Sequence, residues 1–117
     1  MFVGVLRLTL HLPAPGSLKS KRHLLRSALD RVRSRFNVAA AEVGENDLWQ
    51  RSVVGVAAVG NDQAFVNGVL DRVADFVSGV HGGQLVVTDR EMEIVPFGGD
   101  LGGGWRTLAE AEEEDGP

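Results

Sequence analysis

The sequence predicts an α+β sandwich, with two helices covering one face of a four-stranded antiparallel sheet. Three observations predict it. Residues 2–12 alternate apolar and polar with period two, and two further runs, 51–60 and 84–97, are strand-like. Two segments, from 18 and from 62, carry apolar stripes with helical spacing. Gly- and Pro-rich breaks separate these blocks. With 117 residues the chain has the size of one ordinary domain, long enough for a modest core.

In the first strand Phe2, Gly4, Leu6, Leu8, Leu10 and Leu12 share one face, and Val3, Val5, Arg7, Thr9 and His11 the other. "PAPG" ends it, because proline lacks a ladder donor and glycine relaxes the turn. Ser17 is placed to cap a helix from about 18 to 35. Leu18, Leu25, Leu29, Val32 and Phe36 form its apolar face. Residues 37–44 read as a strand, weakly, since Ala is a poor strand former. "ENDLWQ" connects it to 51–60, which is apolar on both faces like a central strand. Asn61 or Asp62 caps a second helix, whose stripe includes Val66, Val69, Leu70, Val73, Phe76 and Val77. Gly68 lies within it at a cost of about 1 kcal/mol relative to Ala, for which close helix–sheet contact is a reason. "HGG" at 81–83 stops this helix, and 84–97 forms the last strand.

The resulting order is βαββαβ. Right-handed crossovers then give the ferredoxin-like arrangement, with spatial strand order 4-1-3-2 and both helices on the face of the even-numbered first-strand residues. The other face of the sheet is open. It carries no aromatic on the first strand, which argues against base stacking on the sheet as an RNA-binding mode. Residues 1–97 are expected to form the domain, and 98–117 a Gly-rich linker with an acidic, flexible tail.

The formal net charge of −4 hides an uneven distribution. Without residues 98–117 the body is near neutral. Within it, Gly16–Phe36 holds seven of the twelve Lys and Arg: Lys19, Lys21, Arg22, Arg26, Arg31, Arg33 and Arg35, opposed only by Asp30. The absence of Cys excludes disulfides and thiolate chemistry and fits a cytoplasmic protein. The apolar start lacks a basic leader and is interrupted by Arg7, so it reads poorly as a signal peptide. No apolar run approaches the ~20 residues of a membrane span. His11, His23 and His81 have no metal-ligand spacing, so neither a metal nor a cofactor is expected.

On a helical wheel Lys19, Arg22, Arg26 and Arg33 fall within about 60° of one another on one flank of the apolar stripe, while Lys21 lies across it. Lys19, Lys21, Arg22, Arg26 and Arg33 are the candidate phosphate contacts. The bland alternative is a solvated helix face with an Arg26–Asp30 pair. Gly16 and Ser17, in the loop before the helix, are a candidate anion site, or simply a turn and a cap. Trp49 is the candidate partner anchor, or a ring packed over the sheet edge. On the open face Arg7 or His11 is expected to pair with Glu91 or Glu93. An acid–base dyad of His11 and Glu93 is the sharper alternative, but nothing else completes a site.

Ser17-Leu18-Lys19 with Lys21-Arg22, Phe36-Asn37-Val38, Ala41-Glu42-Val43, Asp47, Trp49-Gln50 and Asn61-Asp62 resemble the YlxP-like bacterial family, a domain of unknown function, over about residues 2–95. The resemblance implies a ferredoxin-like fold and no catalytic residues. Genes of that family commonly lie among those for transcription, translation initiation and ribosome maturation.

Two functions follow as expectations. The first is a non-catalytic RNA- or ribosome-associated accessory protein, binding phosphate backbone through the basic helix. The alternative is a protein-interaction or homodimerisation module that uses an edge strand and Trp49. An enzyme is not expected. Acylphosphatases share the fold class, but the loop 13–17 lacks the Arg that their phosphate cradle needs.

Overall fold

In a computed structural model, residues 1–13, 16–45 and 47–98 are described. The expected linker and acidic tail therefore lie outside the described residues, apart from Gly98. Six major elements follow the expected order: β1 (Phe2–His11), α1 (Leu18–Arg35), β2 (Ala39–Gly44), β3 (Arg51–Gly60), α2 (Gln63–Gly79) and β4 (Val86–Pro96). A single 3-10 turn, Gly82–Gln84, separates α2 from β4.

The strands form one antiparallel sheet in the order β2-β3-β1-β4, which counted from the β4 edge is 4-1-3-2. Period-two alternation explains how β1 serves both faces. Leu6, Leu8 and Leu10 are buried beneath the helices, while Val5, Arg7 and His11 point to the open face and stay exposed. Val54, Val56 and Ala58 of β3 join the same core, together with Leu25, Ala28 and Val32 of α1 and Val66, Leu70, Val73, Ala74 and Val77 of α2. Both helices therefore cover one face.

Gly4 lets α2 approach the sheet. A Cβ there would lie 2.5 Å from Val66 Cγ1 and 2.7 Å from Leu70 Cδ1. The reason expected for Gly68 thus belongs to Gly4: a Cβ on Gly68 would meet only the Arg72 guanidinium, at 3.4 Å. The two helices meet edge-to-face through Phe36 and Phe76, with centroids 5.7 Å apart. Leu29, Val69 and Phe76 flank the core as partly buried residues rather than sitting at its centre.

The open face is mostly aliphatic. Ala39, Ala41 and Val43 of β2, Gly55, Ala57 and Val59 of β3, and Val5 of β1 point outward. Val5, Val43 and Val59 are 45%, 61% and 63% exposed. A concavity of about 740 Å³ crosses all four strands on this face.

Candidate nucleic-acid interface

The candidate interface residues sit on α1, and the start of α1 follows from local chemistry. Gly16 takes a positive φ of 84°, which turns the chain into the helix. The Ser17 hydroxyl accepts from the Ser20 amide at 3.1 Å, a side-chain N-cap. Ser17 is thus a cap, and the two residues before Gly16 lie outside the described set. At the other end Arg33 and Arg35 complement the negative end of the helix dipole.

The buried stripe of α1 is Lys21, Leu25, Ala28 and Val32, spaced 4, 3 and 4. This corrects the placement of Lys21 among the phosphate contacts. Its side chain is fully buried, and its ammonium lies 3.1 Å from the Glu42 carboxylate. It donates to the Glu45 carbonyl at 2.6 Å and to the Leu48 carbonyl. Glu42 also accepts from the Ser52 hydroxyl at 2.6 Å. A buried ammonium needs a counter-charge and acceptors, and this site provides them. Lys21 therefore ties α1 to β2 and to the connection that carries Trp49, and no backbone phosphate can reach it. Two signals in the sequence pointed here. Lys21 fills the stripe position four residues before Leu25, and Glu42 shares the parity of buried Ala40 on β2.

Arg33 is exposed yet already engaged. One guanidinium nitrogen pairs with Asp30 at 3.1 Å, and another donates to the Ala40 carbonyl at 2.5 Å. Asp30 thus pairs at i,i+3 with Arg33 and not with Arg26. Arg35 stacks over Phe76, 5.2 Å from the ring centroid. Lys19, Arg22, Arg26 and Arg31 are exposed and make no ion pair among the described residues. Lys19, Arg22 and Arg26 follow one line, separated along the axis by about 4.5 and 6 Å. A shallow groove of about 390 Å³ runs beside them, lined by Arg22, Leu25, Arg26, Leu29, Asp30, Arg33 and Glu42. Both of its carboxylates are already paired, Asp30 with Arg33 and Glu42 with Lys21. The free charge along this flank is positive.

Trp49 remains 45% exposed, beside Leu48 at 49%. The connection that carries it is fixed at three points: the Lys21 bonds, Leu48 N to Glu45 O at 3.2 Å, and Leu12 N to Gln50 O at 2.9 Å. Glu45 takes a positive φ of 60° at the start of the turn.

On the open face Arg7 stands opposite Glu91 and donates to its carboxylate at 2.5 and 3.1 Å. That hydrogen bond, and then the Glu91 charge, raise the Arg7 pKa above its ordinary value. The His11–Glu93 dyad does not exist. His11 lies opposite Val86 and Glu93 opposite Val5. Six residues of β1 hold the two side chains about 20 Å apart. His81 has its Nε2 buried with no hydrogen-bond partner among the described residues. Burial pushes its pKa down, and Arg31 and His23 add to the effect, while the Leu24 carbonyl acts in the other direction. No cluster of three or more metal-ligating side chains occurs among the described residues, and no helix there is long and apolar enough to cross a membrane.

A sandwich of this kind, with its basic α1 flank, falls within a family defined by sequence. Residues 3–90 match the model of the DUF503 family, described as a protein of unknown function, and the chain belongs to that family. It is 44% identical over 62 residues to the uncharacterized protein YlxP of Bacillus subtilis (strain 168), an alignment covering 53% of this chain and 67% of that one. Among solved structures it is similar to a de novo designed protein, Ferredog-Diesel, with 11% identity, a TM-score of 0.38, and coverage of 80% of this chain and 84% of that one. An EAL/GGDEF domain protein from M. capsulatus gives 19% identity and a TM-score of 0.42 over 78% of this chain and 62% of that one.

Proposed function

We propose that this protein is a non-catalytic, cytoplasmic RNA- or ribosome-associated accessory protein, built on a ferredoxin-like scaffold, that binds phosphate backbone along the outer flank of α1. The observation that carries the reading is the line of exposed cations Lys19, Arg22 and Arg26, which make no ion pair among the described residues, beside a groove whose carboxylates are already engaged. Among the described residues their donors are available to a polyanion, and each phosphate contact releases counterions. Arg31 extends the positive field toward the C-terminal end of the helix. Lys21 is not part of the contact set, and Arg33 contributes only the part of its guanidinium left after Asp30 and Ala40. The gene company of the family, around transcription and ribosome maturation, supports the reading by association.

Backbone binding without base contacts predicts little sequence preference in vitro, so selectivity in the cell would come from RNA shape and from neighbouring proteins. Ultraviolet crosslinking of the tagged protein in cells, followed by sequencing of bound RNA, tests this. The reading predicts enrichment of ribosomal RNA, lost in an Arg22→Gln/Arg26→Gln variant. Crosslinks no more abundant than those of an untagged control would contradict it.

A further inference from the structure

Among the described residues, the open face of the sheet is a large surface with no element packed on it. α1 and α2 are both spent on the opposite face. What remains is a field of Ala, Gly and Val, with exposed Val5, Val43, Val59 and Val95 around a small-residue centre of Ala41, Gly55 and Ala57. A face of this kind is among the largest apolar patches a monomer exposes, and such patches are often interaction sites.

We propose that this face is a homodimer interface, in which the sheets of two copies of this chain pack against each other. The inference goes beyond the RNA reading and does not rest on it, because the basic flank of α1 lies on the other side of the sheet.

Area and charge favour a second copy. Four strands about 4.8 Å apart and about eight residues long present roughly 500 Å² of face, so two copies bury on the order of 1,000 Å². That reaches the lower bound of specific interfaces, and a face of small aliphatic side chains without an aromatic anchor favours micromolar over nanomolar affinity. Sheets pack face to face at about 10 Å, with strands within about 30° of alignment. Small residues at the centre permit that approach. A Cβ on Gly55 would come within 3.1 Å of Val43 Cγ1, so Val43 already leans across the centre of the face.

Charge selects the orientation. β4 brings Glu91 and Glu93 to this face, whereas the outward residues of β2 are Ala39, Ala41 and Val43. A two-fold axis across the strands would stack β4 on β4 and crowd four carboxylates together. An axis along the strands lays β4 of each copy over β2 of the other. It separates the carboxylates and sets β3 over β1, so that Val5 of one copy meets Ala57 of the second. The Arg7–Glu91 pair is then neutralised within each copy. Arg51, already paired with Glu45, and His11 fall at one end of the face, at the rim.

Sedimentation velocity of the full chain across about 1 to 500 µM tests the proposal. It predicts a concentration-dependent monomer–dimer equilibrium with a micromolar dissociation constant. Ala57→Glu, and separately Ala41→Glu, should weaken that dimer at least tenfold while the far-ultraviolet spectrum and thermal melt remain those of a folded domain. Arg22→Gln, on the far side, should leave the dissociation constant unchanged. A chain that stays monomeric at every concentration overturns the proposal, whatever the variants do. So does a dimer that survives both Glu substitutions in folded protein, which would place the contact on an edge strand or at Trp49. Dimerisation that appears only after removal of residues 99–117 would also overturn it, because the occupant of the face in the full chain would then be its own C-terminal segment.

Discussion

Lys21 shows how one residue divides a charge cluster into two kinds of chemistry. Lys19, Lys21 and Arg22 are near neighbours in sequence, yet Lys21 alone is enclosed, between the Glu42 carboxylate and two carbonyls. Removing one partner of a buried pair leaves the other uncompensated, at about 3–5 kcal/mol. Lys21→Met should therefore cost about that much in urea unfolding, and Lys19→Gln less than about 0.5 kcal/mol. The reverse order would mean that Lys21 faces solvent. His81 gives a second residue-level test. Its pKa is held below the ordinary 6.5 by burial, with Arg31 and His23 adding. The neutral ring is thus the form the fold favours. Its contribution is complete above the unfolded value and is lost as pH falls through the folded one. Between about pH 7.5 and 5 the wild-type chain should lose stability more steeply than a His81→Gln variant, measured by thermal melts. Parallel curves would show that His81 does not contribute.

At the scale of the elements, the contact between α2 and β1 depends on a missing side chain. Gly4→Ala places a methyl 2.5 Å from Val66 Cγ1, and overpacking of this kind costs about 1–3 kcal/mol. Gly68→Ala has room and should stabilise by up to about 1 kcal/mol through helix propensity. Equal effects of the two substitutions would mean that α2 does not approach the sheet at Gly4. The pair also shows what the sequence could and could not disclose. Periodicity placed both helices and the even-numbered core face of β1, because burial imposes a regular pattern on neighbouring residues, whereas β2 read only weakly as a strand and β3 was placed by its apolar run. It could not say which glycine serves a contact between elements 60 residues apart. The same holds for His11 and Glu93: both point to the open face, but only the register of β4 separates them along it. For Lys21 the stripe position is legible, but its burial is not, because the counter-charge that permits it comes from another element.

In the whole molecule, two surfaces lie on opposite sides of one sheet. The helical side offers a positive flank, and the open side an apolar field. Dimerisation through the open side would leave both α1 flanks outward, so each copy keeps its own proposed phosphate-binding line. RNA stoichiometry per chain should then stay the same above and below the dimer dissociation constant. The central claim is that Lys19, Arg22 and Arg26 bind phosphate while Lys21 only holds the fold. It is tested most directly by the salt dependence of binding to a single-stranded RNA of mixed sequence. Three contacts predict a slope of log K against log salt of about −2, and replacement of all three residues by Gln should bring it close to zero in a chain that melts normally. Wild-type binding that is absent at about 50 mM salt, or a slope that the triple substitution leaves unchanged, would contradict the account.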